Sequence, residues 1–114
     1  MRTKRRKSAS RAGKGSLSSA QVDRRGAEVP QWRLSRRPDR ISREFKFKDF
    51  KAAMKFVNKV AGLAEEQEHH PDFRIHWNRV ELVLWTHDVG GLSERDFGMA
   101  AKINRLPYRP GAKG

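Results

Sequence analysis

Residues 49–85, DFKAAMKFVNKVAGLAEEQEHHPDFRIHWNRVELVLW, change hydrophobic period once, and that change decides the fold. In the first half, apolar residues recur at the three- and four-residue spacing of a helix. Asp49 is a suitable N-cap, and Pro71 prevents the helix from going much further. We therefore predict a helix from Asp49 to about Gln67, with an apolar stripe of Phe50, Ala53, Met54, Val57, Val60, Ala61 and Ala64.

The second half alternates with the two-residue period of strands. Two short strands are predicted, DFRIHW (72–77) and RVELVLWTH (79–87), joined by a tight turn. If Asn78 and Arg79 are the central residues of that turn, the apolar residues face one another across the hairpin. The facing pairs are Trp77 with Val80, Ile75 with Leu82, and Phe73 with Leu84.

The same register, extended along the chain, places His70 opposite His87. Directly opposed residues of an antiparallel pair have Cβ atoms about 4.5–5.5 Å apart. Pro71 can interrupt the ladder at this point, so proximity of the two rings is a safer expectation than strict pairing.

Elements on either side complete the domain. A short helix is predicted in residues 17–30, capped by Ser18 or Ser19 and ended by Gly26. QWRLSRR (31–37) and ISREFKFK (41–48) are predicted strands of a hairpin, because a Pro-Asp turn signal separates them. With a last helix near the C-terminus, the order α-β-β-α-β-β-α predicts an α+β fold. Its expected form is a four-stranded antiparallel sheet with helices packed on one face.

The last helix lies in VGGLSERDFGMAAKINRL (89–106). Ser93 is its predicted N-cap, and Asp96 three residues later makes a variant of the capping box. For Asp96, capping alone is the simpler interpretation of this pattern. The domain is expected to span residues 17–107, followed by a C-terminal tail, 108–114.

The composition excludes several classes of protein. A chain of 114 residues has room for one core, and without cysteine it has no disulfide, thiolate zinc site or cysteine nucleophile. No apolar run approaches the ~18 residues of a membrane span, so we expect no membrane association and a cytoplasmic location. The net charge of +13 is unevenly distributed along the chain. Residues 1–40 contain 13 Lys or Arg and 3 Asp or Glu, whereas residues 41–114 contain 13 Lys or Arg and 10 Asp or Glu.

The basic N-terminal segment, MRTKRRKSASRAGKGS (1–16), has almost no large apolar residue. It cannot bury enough surface to offset the entropy of ordering, so we predict a disordered tail. A solubilising extension is the favoured interpretation. An arm that contacts nucleic acid and an organelle transit peptide are the alternatives.

The stretch EEQEHHPD (65–72) contains the principal candidates for catalysis. Glu65, Glu66 and Glu68 crowd a helix C-terminus, where each negative charge costs about 0.3–1 kcal/mol against the helix dipole. Local rules are most often broken at functional sites. Carboxylates beside His69 and His70 favour protonated imidazole, which suits these histidines to proton transfer.

Two other interpretations of the histidines are less favoured. His76 lies on the polar face of its strand and is expected to be an ordinary surface residue. Three histidines can hold a catalytic zinc ion with an open fourth position. The side chains of consecutive residues such as His69 and His70 diverge, however, so we predict no metal site.

Three stretches together resemble the pterin-4a-carbinolamine dehydratase family: EHHPDFRIHW, THDVGGLSERD and ISREFKFKDF. The family pattern has an acidic residue, His-His-Pro, an aromatic residue six positions on, a histidine ten after that, and an aspartate nine later. The resemblance covers about residues 30–106 and includes VPQWRL. Its matching residues are Glu68, His69, His70, Pro71, Trp77, His87 and Asp96.

The resemblance implies a function as well as a fold. Family members remove water from a 4a-hydroxytetrahydropterin, as 4a-hydroxytetrahydrobiopterin dehydratase does, and yield quinonoid dihydropterin. This hydro-lyase reaction recycles the tetrahydrobiopterin cofactor of aromatic amino acid hydroxylases and uses no metal or cofactor. Members form dimers or tetramers. The alternative that the resemblance leaves open is a non-catalytic module for assembly or for transcriptional coactivation.

The resemblance also implies roles for individual residues. His69 and His87 would be the acid and base, in an order left open, while His70 orients the pterin. Glu65 would tune and orient His69. The expected lining of the pterin pocket is Pro71, Phe73, Thr86, Asp88, Val89 and Asp96, together with the three histidines. The family often has tryptophan at the position of Phe73, so Phe73 is the expected aromatic wall.

Overall fold

The computed structural model describes residues 16–108. Apart from Ser16 and Tyr108, the predicted N-terminal and C-terminal tails lie outside the described residues. The elements follow the predicted order. They are α1 (Ser19–Glu28), β1 (Arg33–Ser35), β2 (Arg40–Lys46), α2 (Phe50–Gln67), β3 (Asp72–His76), β4 (Arg79–Leu84), a 3₁₀ turn (His87–Val89) and α3 (Glu94–Asn104).

The four strands form one antiparallel sheet in the order β1-β2-β4-β3, and the predicted α+β architecture is confirmed. The inner strands β2 and β4 send alternate side chains into the core, where the helices cover them. Fully buried residues of these strands are Ile41, Phe45, Val80, Leu82 and Leu84. No helix within residues 16–108 is long and apolar enough to cross a membrane.

Helix α1 begins as predicted and ends later than predicted. Ser18 is the N-cap, and its hydroxyl and the side chain of Gln21 form a reciprocal capping box. The expected stop at Gly26 is wrong, because the helix continues to Glu28 and the Val29 N–H donates to the Gly26 carbonyl. A glycine inside a helix weakens it by up to about 1 kcal/mol but does not oblige it to end.

Helix α2 matches the predicted bounds closely. The Asp49 carboxylate accepts from the Ala52 N–H at 2.8 Å, and the last helical residue is Gln67. The buried face of the helix differs from the predicted stripe at two residues. Phe50, which was predicted to be buried, is 48% exposed, and Phe56, which was not in the predicted stripe, is buried. Glu68 follows the helix in a left-handed conformation with φ 52°, which turns the chain sharply towards β3.

The β3–β4 hairpin has a register two residues away from the predicted one. Trp77 and Asn78 form the turn, whereas Asn78 and Arg79 were expected to form it. The observed pairs are His76 with Arg79, Ile75 with Val80, and Phe73 with Leu82. A shift of two keeps every side chain on its predicted face. It does not preserve the predicted partners, and the position opposite His70 becomes Trp85 instead of His87.

Contacts with the rest of the sheet fix this turn. Trp77 has φ 49°, the positive value needed at one position of a two-residue hairpin turn. The Phe47 N–H donates to the Asn78 carbonyl, and the Asn78 amide donates to the Phe47 carbonyl, each at 2.8 Å. These bonds to Phe47 hold Asn78 within the turn.

The end of α3 joins three segments. The Asn104 side-chain oxygen accepts from the Trp32 indole at 2.8 Å and from Arg43 at 2.7 Å. Burial of the Arg43 guanidinium, which lies over the Phe45 ring, lowers the pKa of this arginine from its ordinary value. Tyr108 also packs edge-on against Phe45, so the chain contacts the sheet one residue beyond the predicted end of the domain.

Candidate active site

A cavity of about 280 Å³ lies where α2 and β4 end. It brings together His69, His70 and His87. His70 and His87 are thus near each other, although the observed register does not pair them across the hairpin. The complete lining is Glu68, His69, His70, Trp85, Thr86, His87, Asp88 and Arg95. Pockets for small molecules typically measure about 300–1,000 Å³, so this one suits a small ligand such as a bicyclic ring.

His69 is the buried member of the three. Its Nε2 lies 2.6 Å from Oδ1 of Asp96, and its side chain is 8% exposed. The His69 N–H donates to the Ala64 carbonyl, which ties the residue to the last turn of α2. Because an ionised carboxylate only accepts hydrogen bonds, a contact with ionised Asp96 requires the proton of this bond to lie on Nε2 of His69.

Asp96 is fully buried and has partners for both carboxylate oxygens. Its Oδ2 accepts from the Thr86 hydroxyl at 2.7 Å and from the Ser93 N–H at 3.0 Å. The Ser93 and Thr86 hydroxyl oxygens lie 2.7 Å apart. The predicted capping box at Ser93 is confirmed, but capping alone was too simple an interpretation of Asp96, because its other oxygen holds His69.

The direction of these bonds favours an ionised Asp96. The Arg95 N–H donates to the Ser93 hydroxyl oxygen at 3.3 Å. Ser93 can then donate to Thr86, and Thr86 donates to Asp96. All the donors point at a carboxylate in the first turn of α3, where the helix dipole stabilises negative charge. The network therefore presents a fixed acceptor to His69.

His70 has a different carboxylate partner. Its Nε2 lies 2.6 Å from Oε2 of Glu65, and the two side chains are 59% and 77% exposed. Glu65 was expected to orient His69, and this assignment is wrong. A contact between Glu65 and His69, four residues apart, would need a helix that continues through His69. The left-handed Glu68 instead turns His69 inward and His70 back over the helix end.

Arg95 stabilises the turn that separates the two histidines. Its Nη2 donates to the Glu68 carbonyl at 2.9 Å, which joins the first turn of α3 to the end of α2. The Glu68 N–H is bonded to the Glu65 carbonyl at 3.3 Å. Both sides of the left-handed residue are thus fixed.

His87 enters the cavity from a tight loop. Thr86 donates its N–H to the Gly91 carbonyl at 2.7 Å, and the 3₁₀ turn between them ends at Gly90 with φ 65°. The exposed His87 ring stacks on the indole of Trp85, with ring centroids 4.0 Å apart and planes tilted by 37°.

The other predicted residues divide into two groups. Thr86 and Asp88 line the cavity, whereas Pro71, Phe73, Val89 and Asp96 do not. Phe73 packs against the hydrophobic core. Sequence reasoning missed Glu68, Trp85 and Arg95 as lining residues. The only signal that could have indicated them was that each is next in sequence to a predicted site residue, His69, Thr86 or Asp96. No group of three or more His, Cys, Asp or Glu within residues 16–108 is arranged to hold a metal ion.

Comparison with known proteins identifies the family of this chain. Residues 15–106 match the family model described as pterin 4 alpha carbinolamine dehydratase. An Acidobacterium capsulatum protein that carries the provisional name pterin-4-alpha-carbinolamine dehydratase is 50% identical over 90 residues, which are 79% of this chain and 96% of that protein. A Thermomicrobium roseum protein of the same provisional name is 51% identical over 79 residues, 69% of this chain and 83% of that one.

Two solved structures share the fold. A transcriptional coactivator/pterin dehydratase from Brucella melitensis matches with a TM-score of 0.74 and 35% identity, over 78% of this chain and 95% of that one. A pterin dehydratase-like RuBisCO assembly factor of the alpha-carboxysome matches with a TM-score of 0.59 and 23% identity, over 67% and 88%. The second likeness concerns the fold alone. From the family match and the identities above, the chain belongs to the pterin 4 alpha carbinolamine dehydratase family.

Proposed function

We propose that this protein is an active dehydratase that converts 4a-hydroxytetrahydropterin to quinonoid dihydropterin and water. The observation that carries the proposal is the buried His69, held at Nε2 by Asp96 and sharing one cavity with His70 and His87. Two titratable rings at a small cavity, one of them rigidly oriented, suit a reaction that moves two protons.

The reaction breaks the bond between C4a and its hydroxyl oxygen and forms a double bond between C4a and N5. The leaving hydroxyl takes a proton and departs as water, while N5 loses its proton. His69, through Nδ1, and His87 are the proposed acid and base. A positioned group of this kind typically contributes about 10²–10⁴-fold to the rate.

His70 is proposed to orient the pterin instead of exchanging its protons. Its Nε2 is bonded to Glu65, and both side chains are mostly exposed, so the pair lies at the mouth of the cavity. Glu65 thus acts through His70. Removal of water from the hydroxylated pterin would support recycling of tetrahydrobiopterin for an aromatic amino acid hydroxylase, by a homodimer or homotetramer in the cytoplasm.

The competing proposal is a non-catalytic assembly or coactivator module. The RuBisCO assembly factor named above has the same fold, but its 23% identity supports no more than that. The network around His69 favours the enzyme. Asp96 is fully buried, and burial of a carboxylate is costly unless its oxygens are bonded. The contact would stabilise a scaffold as well, but a scaffold has no need of a cavity that His69 shares with His70 and His87.

Dehydration of freshly generated 4a-hydroxytetrahydropterin, followed by ultraviolet absorbance, tests the proposal. The wild-type protein should accelerate the reaction at least about a hundredfold over the spontaneous rate, as expected for a single general acid or base. Heat-denatured protein at the same concentration is the control. A wild-type rate equal to the buffer rate would refute the enzyme and leave the assembly or coactivator role.

A further inference from the structure

The aromatic wall of the cavity is not where the sequence pattern suggested. Phe73 lies on the helix-covered face of the sheet and does not line the cavity, although it and Trp85 both pack against the core. Trp85 follows β4 directly and lines the cavity. Among the residues that line the cavity, Trp85 has the largest aromatic side chain, and the motif does not include it.

The backbone around Trp85 is fixed on both sides. Leu84 before it ends β4 and is fully buried, and Thr86 after it is bonded through its N–H to Gly91 and through its hydroxyl to Asp96. The indole itself is half-buried. Because its backbone is held in this way, Trp85 loses little conformational entropy when a ligand binds against its indole.

Trp85 also contacts one of the proposed proton-transfer groups. Its ring lies against the His87 ring at a centroid distance of 4.0 Å. Offset aromatic pairs of this kind stabilise one relative orientation of the two rings. The position of the indole therefore determines where the His87 ring lies in the cavity.

We infer that Trp85 is the positioning residue on which the flat pterin ring stacks, within reach of His87 and His69. The inference rests on the proposed pterin substrate and deepens it. Heterocyclic bases stack favourably on aromatic side chains because both partners have extended π-faces. Polar side chains of Glu68, Asp88 and Arg95 supply other parts of the lining, where ring nitrogens and the exocyclic amine need partners.

Binding of 7,8-dihydrobiopterin, a pterin without the 4a-hydroxyl group, measured by isothermal titration calorimetry, tests the inference without turnover. Trp85→Leu keeps an apolar side chain but removes the π-face, and should weaken binding at least about tenfold, equivalent to about 1.4 kcal/mol. Trp85→Phe keeps the π-face and should remain within about threefold of wild type. Trp77→Phe, at the exposed hairpin turn, is the matched control and should bind as wild type.

The kinetic counterpart is the effect on KM and kcat in the dehydration assay. Trp85→Leu should raise KM and lower kcat, because the pterin and the His87 ring both lose the aromatic ring that they contact. Trp85→Phe keeps an aromatic ring and should have KM and kcat values close to those of the wild type. Circular dichroism and thermal melting of each variant establish that it is folded.

Wild-type binding by a folded Trp85→Leu variant would overturn the inference, and so would equal weakening by Leu and Phe. Absence of pterin binding by the wild-type protein would overturn it too. Pterin binding that depends on Trp85 in a protein without dehydratase activity would refute the proposed function and leave the inference intact. Dehydratase activity that is unchanged by Trp85→Leu would refute the inference and leave the proposed function intact.

Discussion

His69 Nε2 and Asp96 Oδ1 lie 2.6 Å apart, although the two residues are 27 positions apart in sequence. Both side chains are buried. The contact joins the end of α2 to the first turn of α3 at the wall of the cavity. A histidine in this setting is held in one orientation, with one ring nitrogen committed to the carboxylate.

Asp96→Asn tests the direction of the hydrogen bond between His69 and Asp96. The asparagine oxygen can still accept from Thr86 and Ser93, which turns its NH₂ group towards His69. His69 Nε2 must then accept a hydrogen bond, so the proton moves to Nδ1. We expect kcat to fall at least about tenfold, the low end of a general acid or base contribution. Glu66→Gln, an exposed carboxylate of α2, is the control, and an equal fall in this control would contradict a specific role for Asp96.

A double-mutant cycle tests which histidine Glu65 serves. Glu65→Gln should alter activity much less than Asp96→Asn, because exposed ion pairs contribute only about 0–1 kcal/mol. Its effect should vanish in a His70→Ala background and persist unchanged in a His69→Ala background. The rate of dehydration in all single and double variants measures both couplings. If the effect of Glu65→Gln is instead non-additive with that of His69→Ala, Glu65 interacts with His69, which would contradict the observed contact with His70.

Glu68→Gly should stabilise the protein. Glu68 has φ 52°, where a residue with a Cβ atom is strained by roughly 1–2 kcal/mol and glycine is not. The substitution also removes an acidic charge at a helix C-terminus. We expect the midpoint of thermal unfolding to rise by several degrees, by the relation of roughly 4–8 °C per kcal/mol for a domain of this size.

Glu66→Gly is the matched control for this prediction. It removes the same charge from within α2, where glycine costs about 1 kcal/mol relative to alanine, so its melting temperature should fall. Equal shifts in the two variants would contradict the left-handed conformation of Glu68.

Thr86→Val tests the hydroxyl network. Valine has almost the same shape, but it neither donates to Asp96 nor bonds to Ser93, both of which are buried. Leaving a buried polar group without its partner costs about 1–3 kcal/mol, which urea unfolding should detect. Ser42→Ala, on the open face of the sheet, is the control. Unchanged stability of Thr86→Val would mean that the network does not hold Asp96.

Most of the fold could be predicted because hydrophobic period and capping agree along the chain. The bounds of α2, the N-caps Ser93 and Asp49 and the two hairpins all follow from local patterns. The hairpin register could not be predicted in this way. Asn78-Arg79 was a reasonable turn, and positive φ at a tryptophan has no signal in the sequence. Registers that differ by two residues give the same apolar faces.

The candidate site was predicted in its residue types and not in its contacts. One left-handed residue, Glu68, exchanges the partners of His69 and His70. The end of α2 was predicted, but the conformation of the residue that follows it, which sets the direction of both histidines, has no signal in the sequence. Asp96 was recognised as a cap because capping is local. Its contact with His69 depends on how α3 packs against α2, which no local pattern encodes.

Proton transfer by His69 is best tested by the dehydration rate of His69→Ala beside that of His76→Ala, with His87→Ala in the same assay. His76 is exposed on the edge strand β3 and lines no part of the cavity, so its variant should match wild type. His69→Ala and His87→Ala should each lose at least about tenfold in kcat. Wild-type rates for His69→Ala, or an equal loss for His76→Ala, would contradict the proposed role of His69.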